Sequence, residues 1–358
     1  MRDIRVAVVG LGYWGPNLVR NFQELECAEV VAVCDTDAER RERVGRRFPG
    51  IPSFASFDDL LVNPEVDAVA IATSVSTHFP LARAALEAGK HVFVEKPLAG
   101  SSSECVELIR LAHERGRVIM PGHTFLYSPP VVAIGNLIDS GELGELYFIS
   151  TSRVNLGLHQ PDVSVTWDLG PHDFSILRYW LGEGPSHVSA LSRGFVIPTI
   201  PDVAFIDLEF SNGTIAHVEL SWLAPSKLRR TTIVGSKKMV VYDDTSSEPV
   251  RVFDSGVDLR DPATFGEYQL TYRTGDIVSP RVDAAEPLSL ELRDFCRAVT
   301  SGATPRSSAA IGLEVVRMIE AVDQSCELDG ARVAVDELDP MTLMQLHLPV
   351  AGRDGAAR

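Results

Sequence analysis

The sequence has little cysteine, no long apolar run and a shortage of positive charge. No apolar stretch approaches the ~20 residues that a membrane-spanning helix requires, so we expect no membrane contact. The 33 lysines and arginines against 49 aspartates and glutamates give a net charge of −16, which argues against nucleic acid as a partner. The cysteines lack paired spacing, which is typical of reduced thiols in the cytoplasm. They are Cys27, Cys34, Cys105, Cys296 and Cys326.

What is present is the composition of a globular chain. Hydrophobic residues make up 45% and charged residues 23% of the 358 residues, which excludes a disordered or fibrous protein. The length suggests two domains, because a domain usually has ~100–200 residues. Met1-Arg2-Asp3 leads at once into an apolar strand pattern and leaves no room for a signal peptide, so we expect a cytoplasmic protein.

The N-terminal third alternates apolar strand patterns with helical ones, which predicts a doubly wound parallel sheet (a Rossmann domain) over residues 1–122. A helix is clearest where Cys105, Leu108, Ile109 and Ala112 recur at i, i+3, i+4 and i+7. The predicted strands are Ile4–Val9, Val30–Cys34, Ile51–Phe54, Ala68–Ala72, His91–Val94 and Val118–Met120.

Residues 123–345 have a different pattern, which predicts an α+β domain with an open, mostly antiparallel sheet. Asn212-Gly213 between two strand patterns indicates a hairpin, and residues 346–358 read as a flexible tail. Two helices are predicted near the end, one around Leu292–Val299 and one around Ile311–Val322. The predicted strands are Glu145–Val154, His187–Phe195, Val203–Phe210, Gly213–Leu223, Arg230–Val234 and Lys238–Tyr242.

A strand runs directly into Gly10-x-Gly12-x-x-Gly15 at the start of a helix. In a dinucleotide site the first glycine makes the tight turn, the second lets the backbone approach a pyrophosphate, and the third allows close helix–strand packing. Asp35 stands twenty residues after Gly15 at the end of the next strand, where a carboxylate meets the adenosine ribose 2′-hydroxyl. The pattern therefore predicts NAD binding.

Asp35 and Asp37 also bear on the choice between NAD and NADP, because both would repel a 2′-phosphate. The arginine-rich segment 40–47 could clamp such a phosphate instead. We favour a solvated helix face for these arginines, since Glu39 and Glu42 are interleaved with them. NAD is the predicted cofactor.

The sequence lacks the Tyr-x-x-x-Lys motif of short-chain dehydrogenases and the cysteine and histidine spacing of a zinc alcohol dehydrogenase. No metal is predicted. Lys96, in Glu95-Lys96-Pro97 after the fifth strand, lies where ligands bind in parallel sheets. It is either a substrate ligand or a surface lysine in a turn. Asp168 and His172, four residues apart near a helix start, fit a base and its orienting carboxylate. The alternative is a helix N-cap and a buried histidine.

The order of these motifs resembles the glucose–fructose oxidoreductase/inositol dehydrogenase (Gfo/Idh/MocA) family over nearly the whole chain, including Pro287-Leu288 and Glu291 before the late helix. The resemblance implies that Lys96 and His172 flank the reacting carbon, with Asp168 in support, and that the Lys96–Pro97 bond is cis. It implies that the glycine turn and Asp35 contact the cofactor, and that Tyr13 and Trp14 do so through their backbone N–H groups. Three further sets of residues are also implied to contact the cofactor. These are Thr73 with Ser74, His78, and Glu95 with Lys96 and Pro97.

Within the family, the segments 12–17, 122–127 and 153–157 look most like nucleotide-sugar 3-dehydrogenases. This implies substrate contacts by His123, Tyr127, Arg153, Asn155 and His172, although the first four could equally be structural. The predicted activity is oxidation of a sugar ring hydroxyl at C3 to a 3-keto sugar. Alternatives are an inositol or aminoglycoside dehydrogenase, a 3-ketoreductase, and a cofactor-binding regulator without turnover, against which the intact motifs argue. An exposed open sheet also predicts a homodimer or homotetramer.

Overall fold

The computed structural model describes residues 3–157, 159–260 and 269–335, so the predicted tail lies outside the described residues. The chain forms two compact units. The first unit comprises residues 3–127 and 285–320, and the second comprises the described parts of 128–284 and 321–335. Among the described residues, no helix combines the length and the apolar character needed to cross a membrane.

The first unit contains a six-stranded sheet in which every pairing is parallel. The spatial order is β3-β2-β1-β4-β5-β6, so the chain reverses direction across the sheet between β1 and β4. Ligands bind at such a switch point, beyond the carboxyl ends of the strands. The strands are β1 (Ile4–Val9), β2 (Ala28–Cys34), β3 (Ser53–Phe54), β4 (Ala68–Ile71), β5 (His91–Glu95) and β6 (Ile119–Gly122).

Five helices connect these strands, as the predicted alternation requires. Several begin at polar caps: the side chains of Asp37, Ser56 and Ser101 accept N–H groups of the first helical turn. The strands are mostly apolar because both faces of the sheet are covered, and all four residues of β4 are fully buried. The helices are α1 (Gly15–Gln23), α2 (Ala38–Arg47), α3 (Phe57–Leu61), α4 (Val75–Glu87) and α5 (Ser102–Glu114).

The first unit also includes a turn of 3-10 helix at Thr124–Tyr127 and the late helix α8 (Pro287–Ser301). Phe295 of α8 makes edge-to-face contacts with Phe22 and Phe93, at centroid distances of 6.4 and 5.9 Å. The division therefore differs from the predicted boundary at residue 122. A sequence boundary assumes a continuous domain, whereas here the chain returns to complete the apolar core of its first part.

The second unit has a nine-stranded sheet in the order β14-β13-β12-β11-β7-β10-β9-β8-β15. Its pairings are antiparallel except that between β10 and β7, so the predicted fold class is confirmed. The strands are β7 (Leu146–Leu156), β8 (His187–Arg193), β9 (Val203–Glu209), β10 (Ile215–Ser221), β11 (Leu223–Gly235), β12 (Met239–Asp243), β13 (Val250–Arg260), β14 (Gln269–Val278) and β15 (Val333–Ala334). Its helices are α6 (Pro129–Asp139) and α7 (Val165–Leu181), and the unit boundary divides α9 (Ala309–Glu327).

Two features of the second unit differ from the sequence prediction. Helix α7 begins at Val165, so Asp168 and His172 lie inside it rather than before it. Pro171 lies inside this helix and removes one backbone hydrogen bond from it, since proline has no N–H to donate to the Trp167 carbonyl oxygen. Strands β13 and β14 were not predicted. The predicted hairpin joins β9 and β10, with Gly213 at φ +87°.

Candidate active site

The glycine turn between β1 and α1 is shaped by close backbone approaches. Gly10 has φ +87°, and a Cβ there would stand 2.5 Å from the Ala72 carbonyl oxygen. A Cβ on Gly15 would overlap the Gly10 carbonyl oxygen. Gly12 is open by contrast, since the nearest atom to its Cβ position is an Arg40 nitrogen at 3.8 Å. The turn therefore has one packed side and one open side at a helix N-terminus, which fits an incoming pyrophosphate.

Asp35 is buried at the end of β2 and holds this turn. Its carboxylate accepts the Leu11 backbone N–H at 2.6 Å and the Asp37 backbone N–H at 2.9 Å. The guanidinium of Arg40 lies 3.8 Å from it. Asp37 caps α2, and the Arg40 backbone N–H lowers the pKa of this carboxyl. The predicted position of Asp35 next to the turn is thus observed, with backbone contacts that no spacing motif indicates.

Four of the five arginines in α2 are exposed, as the sequence suggested, and Arg41 is half-buried. Arg43 donates to the Leu11 carbonyl oxygen at 3.4 Å, and Arg41 donates to the Asp35 carbonyl oxygen at 2.6 Å. Arg46, by contrast, pairs with Glu42 on the exposed face. A concave surface of about 590 Å³ opens beside the turn. It is lined by Gly12, Tyr13, Pro16, Asn17, Arg40, Arg43 and Arg47.

His78 contacts both the loop after β4 and the loop after β5. Its Nδ1 lies 2.8 Å from the Pro97 carbonyl oxygen and its Nε2 lies 3.1 Å from that of Thr73. The ring is buried, so these contacts favour a role in fixing the two loops over a direct cofactor contact. Ser74 is exposed at the start of α4, while Tyr13 and Trp14 are exposed at the start of α1.

Lys96 follows β5, and its bond to Pro97 is cis, as the family resemblance implied. The residue before it, Glu95, is buried, and its carboxylate accepts the Lys96 backbone N–H. Burial raises the pKa of Glu95 to about 7, and the charge of Lys96 opposes that rise. The sequence motif thus brings together a half-buried ammonium group and a desolvated carboxyl.

His123 and Tyr127 follow β6 in the first unit. Burial, assisted by the charge of Lys96, lowers the pKa of His123 to about 3, so this imidazole is neutral. The Tyr127 hydroxyl donates to Asp294 at 2.7 Å and accepts the Ser307 backbone N–H at 3.0 Å. Because its polar atom is used within the unit, the structural alternative is favoured over substrate contact for Tyr127.

In the second unit, Asp168 and His172 lie one turn apart on helix α7, so their side chains share a face. Ser164 is the N-cap residue of this helix, since its side chain accepts the Trp167 N–H. Asp168 is therefore not the N-cap residue. The indole N–H of Trp222 donates to Asp168 at 3.2 Å. The half-buried imidazole and its neighbouring carboxylate therefore stand on a rigid helix rather than on a loop.

Residues that the sequence analysis missed surround this helical face. The Trp222 ring lies 5.2 Å from that of His159, and the His159 Nε2 lies 3.7 Å from the buried carboxylate of Asp202. A Cβ on Gly157 would stand 3.0 Å from Trp222 and 3.2 Å from the Asn155 amide. Asn155, which was predicted, therefore belongs to this cluster. No motif spacing indicates the others, which come from separate strands and loops.

Arg153 is buried in the second unit and paired with Asp173. The Nε–Oδ2 distance is 2.5 Å, and Asp173 also accepts the Thr151 hydroxyl at 3.0 Å. The neighbouring carboxylate raises the pKa of Arg153 despite burial. These contacts favour the structural alternative over substrate contact. Among the residues that the structure describes, no three metal-binding side chains are grouped.

The sequence matches two family models. Residues 4–123 match an oxidoreductase family with an NAD-binding Rossmann fold, and residues 131–241 match the Gfo/Idh/MocA C-terminal domain. A UDP-N-acetylglucosamine 3-dehydrogenase of Acidithiobacillus ferrooxidans is 31% identical over 68% of this chain and 75% of its own length. The chain belongs to the Gfo/Idh/MocA family of oxidoreductases. Its first unit carries the family's NAD-binding fold, which confirms the predicted cofactor.

A further relative and a solved structure are similar to this chain. Inositol 2-dehydrogenase 2 of Saccharopolyspora erythraea is 29% identical over 61% of this chain and 66% of its own length. The crystal structure of GenD2 from gentamicin A biosynthesis in complex with NAD has a TM-score of 0.80. It is 24% identical and covers 94% of this chain and 97% of its own. That likeness supports the shared two-part fold.

The glycine turn gives a first prediction. Gly15→Ala places a Cβ on the Gly10 carbonyl oxygen, so the turn must shift at a cost of about 1–3 kcal/mol. We expect the dissociation constant for NAD, measured by fluorescence titration, to rise about tenfold or more. Gly45→Ala is the matched control, since nothing lies within 4 Å of its Cβ position. Equal affinities of the two variants would contradict the packing argument.

The buried ion pair gives a second prediction. Arg153→Leu leaves the buried Asp173 carboxylate without its cation. We therefore expect the free energy of unfolding in urea to fall by about 3–5 kcal/mol. A second substitution, Asp173→Leu, should restore part of that loss. Arg229→Leu, on strand β11 next to β7, breaks a more exposed pair with Asp244 and should cost about 1 kcal/mol or less. Unchanged stability with a raised KM would instead assign Arg153 to substrate binding.

Proposed function

We propose that this Gfo/Idh/MocA enzyme oxidises a ring hydroxyl of a sugar, at C3 of a nucleotide sugar, to the 3-keto sugar. The observation that carries the proposal is the face of α7, where the His172 imidazole stands one turn from a carboxylate held by the Trp222 indole. An imidazole oriented by a carboxylate suits removal of a hydroxyl proton. The similarity to the UDP-N-acetylglucosamine 3-dehydrogenase supports the substrate class.

Two groups of the chain act on the hydroxyl in this proposal. His172 accepts the hydroxyl proton, and Asp168 stabilises the imidazolium that forms. The ammonium of Lys96 polarises the same oxygen as negative charge develops on it. Bound NAD supplies the hydride acceptor, and Asp35 holds its ribose hydroxyls. Asn155, whose amide lies beside Gly157 as the Trp222 ring does, is a further proposed substrate contact.

Other substrates are compatible with the same residues. The inositol dehydrogenase relative favours a free polyol, and the gentamicin-pathway relative favours an aminoglycoside. The net charge of −16 suits a cationic glycoside, although it does not describe the lining of the site. A 3-ketoreductase uses the same groups in the opposite direction.

We also propose that the enzyme is a cytoplasmic homodimer or homotetramer. The second unit's sheet exposes apolar side chains on adjacent strands: Leu191 on β8 is 53% exposed, and Phe205, its partner on β9, is 48% exposed. Such a surface is usually covered by another chain. Light scattering of the purified protein measures the assembly.

The substrate proposal is tested with a panel of UDP- and dTDP-hexoses, free inositols and aminoglycosides. We expect the absorbance of reduced nicotinamide to rise with NAD and a nucleotide sugar, with chemical analysis placing the new ketone at C3. If only inositols or only aminoglycosides reduce NAD, the substrate is a free polyol or an aminoglycoside and not a nucleotide sugar. Oxidation of NADH by 3-keto sugars, without the forward reaction, would favour the ketoreductase.

The roles of Lys96 and His172 are tested by Lys96→Met and His172→Gln. Each should lower kcat by about 10²–10⁴-fold, the usual contribution of a positioned acid or base, while the dissociation constant for NAD stays near the wild-type value. Lys237→Met, at an exposed lysine, is the control. Parallel loss of NAD binding and turnover would show that Lys96 serves the cofactor rather than the chemistry.

A further inference from the structure

A cavity of about 400 Å³ opens at the edge of the first sheet where β1, β4, β5 and β6 begin. All of its lining residues belong to the first unit. The glycine turn and Lys96 follow the carboxyl ends of the strands, at the opposite edge of the sheet, so cofactor binding does not explain this cavity. The polar residues of its lining are Asp3, Asp67, Lys90, His91 and Arg117.

Two neighbouring helix-to-strand turns bring the basic residues of the cavity together. Gly89 and Lys90 follow α4 and lead into β5, while Gly116 and Arg117 follow α5 and lead toward β6. Both glycines have a positive φ, +73° and +61°. Because β5 and β6 are paired in parallel, the two turns lie side by side at the same edge. Each turn therefore contributes one cation to one cavity.

Capping of the two helices does not account for these cations. A basic side chain near a helix C-terminus often binds the last carbonyl groups. Here backbone N–H groups fill that role, because Lys90 donates its N–H to the Ala85 carbonyl oxygen at 2.9 Å. Arg117 likewise donates its backbone N–H to the Ala112 carbonyl oxygen at 2.8 Å. The side chains are left for another purpose.

The His91 ring presents a hydrogen-bond donor to Arg117. Its Nδ1 accepts the Val118 backbone N–H at 3.0 Å, so the ring proton is on Nε2. Burial, assisted by the charge of Arg117, lowers the pKa of His91 to about 4, in agreement with a neutral ring. Nη1 of Arg117 lies 3.2 Å from this Nε2. The contact thus joins two donors and contains no acceptor, and an acceptor that bridges them would satisfy both.

Positive charge prevails in the lining once existing ion pairs are considered. Asp67 accepts Nε and Nη2 of Arg5, each at 2.9 Å, so its charge is already matched. Asp3 is exposed to solvent, where salt screens its charge. The Lys90 ammonium donates to two backbone carbonyl oxygens, at 2.7 and 3.2 Å, which leaves it one further N–H. The cavity therefore offers donors to an anion, although the net charge of the protein is −16.

We propose that this cavity binds a phosphate group, with the Arg117 guanidinium and the His91 Nε2–H as its principal donors and Lys90 as a third. The planar guanidinium matches the oxygen atoms of a phosphate, and its hydrogen bonds to them are charge-assisted. A water molecule occupies about 30 Å³, so the cavity has room for a phosphate with a small organic group attached. None of these residues takes part in the proposed sugar oxidation, and the two proposals stand or fall separately.

Inorganic phosphate is the first probe, added to the full-length protein at constant pH and ionic strength. Saturating NAD is present, so that the glycine turn is occupied. The nine histidines are isotopically labelled for nuclear magnetic resonance, and the His91 signals are assigned from their loss in His91→Gln. We expect phosphate to shift these signals in a saturable manner while those of the other histidines stay in place. Unchanged His91 signals, or equal shifts at every histidine, would overturn the proposal.

Arg117→Met tests the principal donor without disturbing the buried part of the turn. The dissociation constant for phosphate should rise about tenfold or more, as expected when a hydrogen bond to a charged group is lost. Arg110→Met is the matched control on the same helix, since Arg110 pairs with Glu114 on the exposed surface. An unchanged dissociation constant for NAD confirms that each variant is folded. Equal phosphate affinity of the wild type and Arg117→Met would contradict the assignment.

Two further probes identify the source of the phosphate group. Tighter binding of a hexose monophosphate than of inorganic phosphate would support the site and assign it to a phosphorylated metabolite. Equal binding of the two would support the site and assign it to the free ion. Acetate that binds as tightly as phosphate would show that the cavity does not select a phosphate group, and the proposal would fail.

Discussion

A carboxylate removed from water must find a donor or keep a proton, and this constraint shapes the proposed site residues in both units. In the first unit Asp35 finds the backbone N–H of Leu11, and the glycine turn is thereby fixed against β2. In the second unit Asp173 finds Arg153. Asp168 finds the indole of Trp222. Glu95 accepts the Lys96 backbone N–H and Glu291 accepts the Thr124 hydroxyl, and burial raises the pKa of both carboxyl groups.

The two units supply different chemical resources. The first provides backbone N–H groups, an open turn and one ammonium, which are suited to a phosphate-bearing cofactor and to developing negative charge. The second provides an imidazole and a carboxylate on a helix, backed by an indole. Rigid elements hold both sets, and this matters because catalysis depends on groups that are already oriented before substrate arrives.

Much of the fold could be predicted because it depends on local patterns. The five longer strands of the first sheet follow mostly apolar runs, and Gly10, Gly15 and Asp35 lie where the motif requires. The start of α7 could not be predicted, since Gly170 and Pro171 argue locally against a helix that tertiary packing stabilises. Partners distant in sequence were also hidden. Tyr127 bonds Asp294, 167 residues away, and no spacing rule connects Thr124 with Glu291.

The choice between NAD and NADP depends on the charges around the glycine turn as well as on the presence of Asp35. The Asp35 carboxylate already accepts two backbone N–H groups, and Arg40 stands 3.8 Å from it. Each carboxylate oxygen still has a lone pair for a ribose hydroxyl. A 2′-phosphate would bring charge against that fixed carboxylate, which cannot turn away without releasing Leu11. The preference for NAD therefore follows from the immobility of Asp35, and the arginines of α2 offset its charge without removing it.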